Sequence, residues 1–318
     1  MSAIVATMRR NRLLPNYLVV LLLLAIIIVA GTLISDRFLT VRNFSFLFQQ
    51  MVVLGLVSLG QTFTILIGGI DLSIGALAGA ITVFVASFLD WRPDLIWVAV
   101  PAAMMLGAGI GAINGTLSVF LRVHPLIVTL GMSSVIFGLT LMYRKQPGGS
   151  VPIVFEDIAY NNFMGIPITA YALVAAFAIA GVWLQRTGTG RMLYFVGGDE
   201  EAARLNGVPV RRVKILAYAL AGLCTSLAAL FLVAKTGVGD PRIGLPLTLQ
   251  SITPVIVGGT ILAGGRGGVF GTFLGVLLVS ILNNLLNFAG VSSYWQWVVQ
   301  GLIIIIAVGI YRSDRRGG

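Results

Sequence analysis

Residues 53–89 read VLGLVSLGQTFTILIGGIDLSIGALAGAITVFVASFL, and Asp71 is the only ionisable residue among them. The stretch joins two apolar runs, 47–67 and 74–89, through a break that contains paired glycines. An apolar run of about 20 residues is long enough to cross a bilayer as a helix. Backbone groups in lipid must be hydrogen-bonded within the segment, so both runs are predicted to be membrane helices.

The same pattern continues through the rest of the chain. Of 318 residues, 58% are hydrophobic and 10% are charged, against about 25% charged in soluble domains. The first run is longer than a signal-peptide core of about 7–15 residues, so we expect it to be retained. The sequence predicts an all-α integral membrane protein, with residues 1–318 as a single domain of about ten transmembrane helices. The runs are 17–34, 47–67, 74–89, 96–121, 125–143, 169–185, 214–234, 249–263, 269–288 and 294–311.

The distribution of Lys and Arg predicts the orientation. With ten spans and a cytoplasmic N-terminus, fourteen of the 21 basic residues lie inside and seven outside. This is the bias that the positive-inside rule expects, and it predicts two cytoplasmic termini, a cytoplasmic loop at 186–213 and an outer loop at 144–168. The inner set is Arg9, Arg10, Arg12, Arg122, Arg186, Arg191, Arg204, Arg211, Arg212, Lys214, Arg266, Arg312, Arg315 and Arg316. The outer set is Arg37, Arg42, Arg92, Arg144, Lys145, Lys235 and Arg242.

The net charge of +10 is therefore interpreted as an orientation signal. A basic stripe with interleaved aromatic residues, as nucleic-acid binding would need, is absent from the sequence. We expect membrane lipid, and no nucleic acid, to contact this chain.

The glycine break at Gly68, Gly69, Asp71 and Ser73 has two interpretations. A carboxylate at membrane depth is costly and is typically functional. An Asp or Ser before an apolar run is also a typical N-cap of the next helix, and we favour this capping role for Asp71. In either case a capped helix after a glycine pair is a broken helix, an element that often lines a transport pathway.

A weak internal repeat supports a pathway. Residues 65–69 (ILIGG) are echoed by residues 261–265 (ILAGG), and the glycines that follow recur at the same offset as Gly75/Gly79 and Gly271/Gly275. Glycine-interrupted segments in two halves often indicate a binding site in transporters. The alternative is that glycine is simply common in membrane helices. The ten-helix count makes the copies parallel, whereas many transporters contain inverted repeats.

The loop 197–209 encodes a short helix with both ends marked. Asp199 is a good N-cap, and Glu200 and Glu201 lie in the first turn, where the helix dipole favours negative charge. Gly207 and Pro209 stop the helix. It presents Leu205 and the alanines either to solvent, as a connector, or to a cytoplasmic partner, as a docking helix.

Amide side chains in three other apolar runs have two possible roles. They bond neighbouring helices or line a polar path, and the sequence does not choose between these roles. They are Asn283, Asn284 and Asn287 in the ninth run, Gln49, Gln50 and Gln61 in the second, and Gln296 and Gln300 in the tenth.

Several chemistries have no motif in this chain. It has no G-x-x-x-x-G-K-[S/T] phosphate loop, no H-E-x-x-H, no Cys/His metal cluster and no G-x-S-x-G elbow. We therefore expect no enzyme activity, no resident cofactor and no metal. The single histidine, His124, precedes Pro125 at a helix start and is interpreted as structural.

These segments resemble the permease subunits of ribose/xylose/galactose-type ABC sugar importers. The resemblance extends from Phe44 to Tyr311 and is strongest at 68–75 (GGIDLSIG), 197–207 (GGDEEAARLNG), 257–265 and 282–287 (LNNLLN). Related amino-acid permeases are less similar at Ile70–Ser73, which favours a sugar-type solute. The commonest family loop has Asn where this chain has Asp199.

The resemblance implies an assembly in the bacterial inner membrane. A second permease chain, identical or homologous, would complete the pathway, and a periplasmic solute-binding protein would deliver solute. Two cytoplasmic ATP-binding subunits, which hold ATP and Mg, would dock on Asp199, Glu200, Glu201, Ala202, Ala203, Arg204, Leu205 and Gly207. The translocation path would involve Gly68, Gly69, Asp71, Ser73, Gln61, Asn283, Asn284 and Asn287. Charge and outer position add Arg144, Lys145 and Arg242 as binding-protein contacts.

Two rival functions follow from the residues alone. A self-sufficient secondary carrier or channel would transport solute without ATP, although Asp71 offers little for proton coupling. An intramembrane enzyme would need a nucleophile, an acid/base pair or a metal set within the bundle, and the sequence shows none. The solute itself stays open among pentoses, hexoses, polyols and related hydroxylated compounds.

Overall fold

The structure is a computed structural model that describes residues 2–302, with side chains described from residue 18 onward. The basic side chains Arg9, Arg10, Arg12, Arg312, Arg315 and Arg316, and the part of the tenth run after residue 302, lie outside the described residues.

The described chain is mostly helical. Its helices are α1 (Ser2–Ile34), α2 (Val41–Leu66), α3 (Ile74–Leu89), α4 (Ile96–Phe120), α5 (Pro125–Tyr143), α6 (Ile153–Tyr160), α7 (Ile168–Arg186), α8 (Gly188–Gly198), α9 (Glu200–Leu205), α10 (Val210–Thr236), α11 (Leu247–Gln250), α12 (Ile252–Val257) and α13 (Val269–Phe288). A final helix, α14, covers 293–302, where the description stops. A 3₁₀ turn, Pro93–Leu95, leads into α4, and the strands β1 (Asn162–Phe163) and β2 (Ile166–Pro167) form a small hairpin.

Six helical stretches of the described chain are long and apolar enough to cross a membrane. They are Val41–Leu66, Pro93–Phe120, Pro125–Tyr143, Ile168–Arg186, Val210–Thr236 and Val269–Phe288. Three shorter apolar stretches are Leu18–Ile34, Ile74–Leu89 and Leu247–Val257. The fold is therefore that of a multi-pass helical membrane protein.

Helices α2 and α10 form the centre of the bundle. In α2, 83% of the apolar window is buried, against 17% in α5, whose apolar side chains face outward. Helix α10 packs against α4, α2 and α3. The α4–α10 contact is built from small residues: Gly107 and Gly111 lie against the backbone of Gly222 and Tyr218, without room for a Cβ. Small residues let membrane helices approach closely enough for van der Waals contact.

The connections gather at two ends of the bundle. At the α9 end, the break after α2 meets the loop 258–268, where Gly265 N–H donates to the Leu66 carbonyl over 2.9 Å. At the opposite end, Gly148 and Gly239 pair as an antiparallel bridge. Ser45 Oγ also donates there to the Gly165 carbonyl over 2.8 Å. Helix α3 starts at the first end and finishes at the second.

The predicted runs 74–89, 125–143 and 269–288 coincide with α3, α5 and α13. The eighth run, 249–263, is wrong beyond Val257, because the chain leaves the helix at a glycine-rich loop. Gly259, Gly264 and Gly265 in that loop have positive φ, a conformation that glycine adopts without steric cost. The sequence also gave no indication of helices α6 and α8.

Candidate functional site

Asp71 lies in the break between α2 and α3 and is fully buried. Its Oδ1 accepts from the Ser73 N–H over 2.8 Å and from the Ser73 hydroxyl over 2.6 Å. The N-cap of α3 is Ser73, and the helix start has no side-chain capping bond. The predicted N-cap role of Asp71 is therefore wrong. Its carboxylate instead closes an Asx-type turn that ends at Ser73, immediately before the first residue of α3.

Gln61 holds the same break from within α2. Its side chain is fully buried. With its amide oriented by its partners, Nε2 donates to the Asp71 carbonyl and Oε1 accepts from the Asp71 N–H, both over 3.2 Å. The amide therefore satisfies the two backbone groups of Asp71, which no helix pairs. In this structure Gln61 therefore connects α2 to the break, and its side chain is not exposed.

Three residues that the sequence did not indicate complete this cluster. Asn114 Nδ2 on α4 donates to Ser73 Oγ over 2.8 Å. Thr129 Oγ1 on α5 accepts from the Leu72 N–H over 3.1 Å and donates to the Ile70 carbonyl over 3.2 Å. The Tyr218 hydroxyl on α10 lies against Gly69, where a Cβ would overlap it. Helices α4, α5 and α10 thus converge on residues 69–73.

The two copies of the repeat meet in what we call the glycine junction: Leu66, Gly68, Gly197, Gly264 and Gly265. Gly68 and Gly264 have φ of +77° and +87°, and a Cβ on Gly68 would lie 3.3 Å from the Ala263 carbonyl oxygen. Gly197, at the end of α8, lies against the Leu66 carbonyl and the Gly265 N–H without room for a Cβ. The chain between α8 and α9 is thereby fixed to both glycine loops.

The structure confirms the short helix predicted at this loop, α9, with its N-cap and its glycine stop. Asp199 Oδ1 accepts from the Ala202 N–H over 2.9 Å, and Gly207 adopts φ +76° after the helix. Leu205 is 77% exposed, whereas Ala203 is only 4% exposed and packs into the bundle. The prediction that both alanines are presented outward is therefore wrong for Ala203.

Two ion pairs hold α9. Glu201 pairs with Arg204 within the helix, and Glu200 pairs with Lys214 at the start of α10, each over 2.6 Å. The second pair connects α9 to a central helix of the bundle, but the Glu200 side chain is 56% exposed, and surface pairs of this kind contribute only about 0–1 kcal/mol.

The three asparagines of α13 all bond other helices. Asn284 and Asn43 exchange two hydrogen bonds over 3.0 and 2.9 Å. Asn287 accepts from Gln296 over 2.7 Å, and Asn283 accepts from Gln300 over 3.2 Å. Of the two roles that the sequence allowed, the structure shows helix-to-helix bonding for all three, and Asn283 also faces a cavity. These residues belong to the opposite end of the bundle, so the predicted path residues form two separate groups.

An open cavity of about 240 Å³ lies between α2, α10, α11 and α13, beside the asparagine group. Its polar lining consists of Gln49, Gln50, Lys235, Gln250, Ser280 and Asn283. Asn283 is the predicted path residue among them. Lys235, Gln250 and Ser280 were missed as one site, because Lys235 follows the seventh apolar run while Gln250 and Ser280 lie in the eighth and ninth, and only the fold brings them together.

The predicted outer cations share one loop cluster. Arg242 Nη1 donates to the Lys145 carbonyl over 3.0 Å. Arg144 packs against Gly148, whose N–H donates to the Gly239 carbonyl over 2.9 Å. Arg144, Lys145 and Arg242 are therefore close together at the opposite end. Over the part of the chain that the structure describes, no group of His, Cys, Asp or Glu could hold a metal ion.

Comparison with known proteins gives one family. The family described as branched-chain amino acid transport system, permease component, matches residues 43–308. No solved structure matches the chain.

Named relatives cover nearly the whole sequence. The chain is 39% identical to the ribose import permease protein RbsC of Bacillus subtilis, over 91% of each chain. It is 33% identical to the fructose import permease protein FrcC of Rhizobium meliloti, over 95% of this chain and 86% of the relative. It is 32% identical to the D-allose transport system permease protein AlsC of Escherichia coli, over 91% of this chain and 90% of the relative.

Proposed function

Because this chain belongs to the family of permease components of branched-chain-amino-acid-type transport systems, we propose that it is the permease subunit of an ABC importer for a sugar or sugar-like solute. The relatives named for ribose, fructose and allose support the solute class. The membrane is then the bacterial inner membrane. The chain itself performs no chemistry, and ATP and Mg are bound by a separate subunit.

The proposed topology has ten spans and two cytoplasmic termini. Nine apolar helical stretches, together with α14, supply the spans. The α9 end is then cytoplasmic, with 186–213 as its coupling loop, and the opposite end is periplasmic. The excess of basic residues on the α9 side supports this orientation. Residues 1–318 form one permease domain.

The observation that carries the function is α9. It is a capped, ion-paired helix that begins shortly after Gly197 of the glycine junction and exposes Leu205. The chain has no phosphate loop of its own. A partner that binds α9 can therefore act on both helix breaks. We assign ATPase docking to the exposed residues Asp199, Glu200, Glu201, Ala202, Arg204, Leu205 and Gly207, and exclude Ala203 because it is buried.

The other partners follow from the same orientation. A second permease chain, identical or homologous, completes the pathway. A periplasmic solute-binding protein docks at the opposite end, where Arg144, Lys145 and Arg242 supply positive charge to an acidic partner surface. Lipid covers the apolar faces of α4 and α5, and no nucleic acid is involved.

The test is reconstitution. The permease is purified in mild detergent, its co-purifying chains are identified by mass spectrometry, and uptake of D-ribose, D-fructose and D-allose into proteoliposomes is measured with and without ATP. An ATP-binding subunit at one per permease and ATP-dependent uptake support the proposal. ATP-independent uptake by the permease alone would instead establish the alternative, a self-sufficient secondary carrier or channel.

A double variant tests the docking site separately. In Glu201→Lys with Gly207→Pro, the first change reverses a charge on α9 and the second places proline at φ +76°, which its ring forbids. The variant should insert normally and lose the ATPase subunit. Retained co-purification with normal uptake contradicts the assignment.

A further inference from the structure

The cavity between α2, α10, α11 and α13 has the chemistry of a binding site for hydroxyl groups. Three glutamine amides, those of Gln49, Gln50 and Gln250, line it together with Ser280 and Asn283. An amide group offers two donors and two acceptor positions, which match the mixed donor and acceptor character of a hydroxyl group. Apolar side chains, among them Val53 and Leu54, supply the remaining wall.

Four hydrogen-bonding side chains of this lining, Gln49, Gln50, Gln250 and Ser280, are free to take a ligand. Within the described part of the chain, the side chains of Gln49, Gln50 and Gln250 engage in no hydrogen bond. Ser280 is 3% exposed, and its Oγ is buried without a partner. Buried polar groups are nearly always hydrogen-bonded in folded proteins, so an unpaired hydroxyl at a cavity wall indicates a missing partner.

The charge of the lining and the volume of the cavity restrict the kind of ligand that it can bind. The lining contains Lys235 and no Asp or Glu, so nothing there compensates a cationic ligand. At about 240 Å³ the cavity lies just below the range of roughly 300–1,000 Å³ for drug-sized ligands. A single uncharged sugar ring with several hydroxyl groups is smaller than a drug-sized ligand and carries no charge that the lining would have to compensate.

We propose that this cavity is a solute-binding site of the permease itself, in which Gln49, Gln50, Gln250 and Ser280 recognise the hydroxyl groups of an uncharged monosaccharide or polyol. This inference rests on the proposed function. It adds that part of the solute selectivity resides in this chain, at the end of the bundle opposite α9.

The first test is transport by the complete complex of permease, ATP-binding subunit and binding protein in proteoliposomes. Leucine is close to glutamine in volume but forms no side-chain hydrogen bond, so Gln49→Leu and Gln250→Leu should each lower D-ribose uptake at least about tenfold. The matched control is Gln185→Leu, an exposed glutamine of α7 outside the cavity and outside the loops of the proposed binding-protein contacts, which should transport like wild type.

The second test does not depend on transport. Gln50→Cys places a thiol at the mouth of the cavity, and Cys224, the only natural cysteine, is buried, so background labelling should be low. A small charged methanethiosulfonate reagent added from outside should modify Gln50→Cys, and D-ribose, D-fructose or D-allose should slow that reaction. Ser292→Cys, exposed at the same end, should react without protection.

The outcomes separate the two proposals. If wild type imports sugar with ATP but the leucine variants import equally well, the cavity assignment is wrong and the proposed function stands. If wild type shows no ATP-dependent uptake, the proposed function is wrong. The thiol reaction then decides the cavity: its protection by sugar supports a sugar site, and its absence overturns that site.

Discussion

The N–H of Gly265 donates to the carbonyl oxygen of Leu66 over 2.9 Å, and Gly197 lies directly against both groups. One hydrogen bond thus joins the end of α2 to the loop before α13, at the point where the chain leaves α8 for α9. A displacement of α9 by a partner would therefore act on this contact through Gly197.

Replacing Gly197 should therefore lower stability and uptake, whereas replacing Gly198 should not. In Gly197→Ala the added methyl group overlaps the Leu66 carbonyl oxygen, and overpacking of this kind costs about 1–3 kcal/mol. Gly198→Ala is the matched control, because nothing lies within 4 Å of its Cβ position. We expect lower thermal stability in detergent and reduced ATP-driven uptake for Gly197→Ala only. Equal behaviour of the two variants would show that the junction is not tightly packed.

Leu205 should contribute to binding of the ATP-binding subunit but not to the stability of the permease. It is 77% exposed in the isolated chain, and burying a leucine side chain in an interface is worth about 1.5–3 kcal/mol. Leu205→Ala should therefore weaken association with the ATP-binding subunit about tenfold or more, while the melting temperature of the permease stays unchanged.

Met164→Ala provides the comparison for Leu205. Met164 is 85% exposed but lies at the opposite end of the bundle. Association is measured by titrating the labelled ATP-binding subunit against permease in nanodiscs. Unchanged affinity for Leu205→Ala, or an equal loss for Met164→Ala, would argue against docking on α9.

Asp71 should matter through its hydrogen bonds more than through its charge. Asp71→Ala removes the acceptor of the Ser73 N–H and hydroxyl, and each buried group left unpaired costs about 1–3 kcal/mol. Asp71→Asn keeps an oxygen in place for both bonds, so it should be markedly more stable than Asp71→Ala. Fluorescence-detected size exclusion after heating measures this order. Loss of uptake in a stable Asp71→Asn protein would instead assign the charge a role in transport.

The Asn43–Asn284 pair should show coupling in a double-mutant cycle. Asn43→Ala leaves the buried amide of Asn284 without this partner, Asn284→Ala leaves the half-buried Asn43 with only its bond to the Phe38 carbonyl, and the double change removes both amides. Hydrogen bonds between membrane helices average about 0.6 kcal/mol in such cycles, with a maximum near 1.7. Unfolding of the four proteins in detergent should give a coupling energy in this range. Strictly additive losses would mean that the two amides do not pair.

The sequence predicted what depends on neighbouring residues. The apolar runs located α3, α5 and α13, and the caps of α9 followed from Asp199 and Gly207. The end of the eighth run was mispredicted because hydrophobicity outweighed the glycine signal at Gly258 and Gly259.

Contacts between distant segments could not be predicted in this way. The Gln61 amide bonds the backbone N–H and carbonyl of Asp71, ten residues away, and Asn114 donates to Ser73 from another helix. The amide-lined cavity has the same origin. Glutamines of α2 and α11 and a serine of α13 are separated by long stretches of chain, and only helix packing makes them one surface.

The asparagine pair also limits how the cavity can open. Asn43 and Asn284 tie α2 to α13, and those helices form one wall of the cavity, whereas Lys235 on α10 and Gln250 on α11 belong to the other wall. The chain between them passes through Gly237 and Gly239, whose backbone groups are bonded to Val151 and Gly148 of the loop 144–168. We expect the first wall to behave as a rigid frame and the second wall to move only together with that loop. The loop that carries the proposed binding-protein contacts would then be coupled mechanically to the cavity.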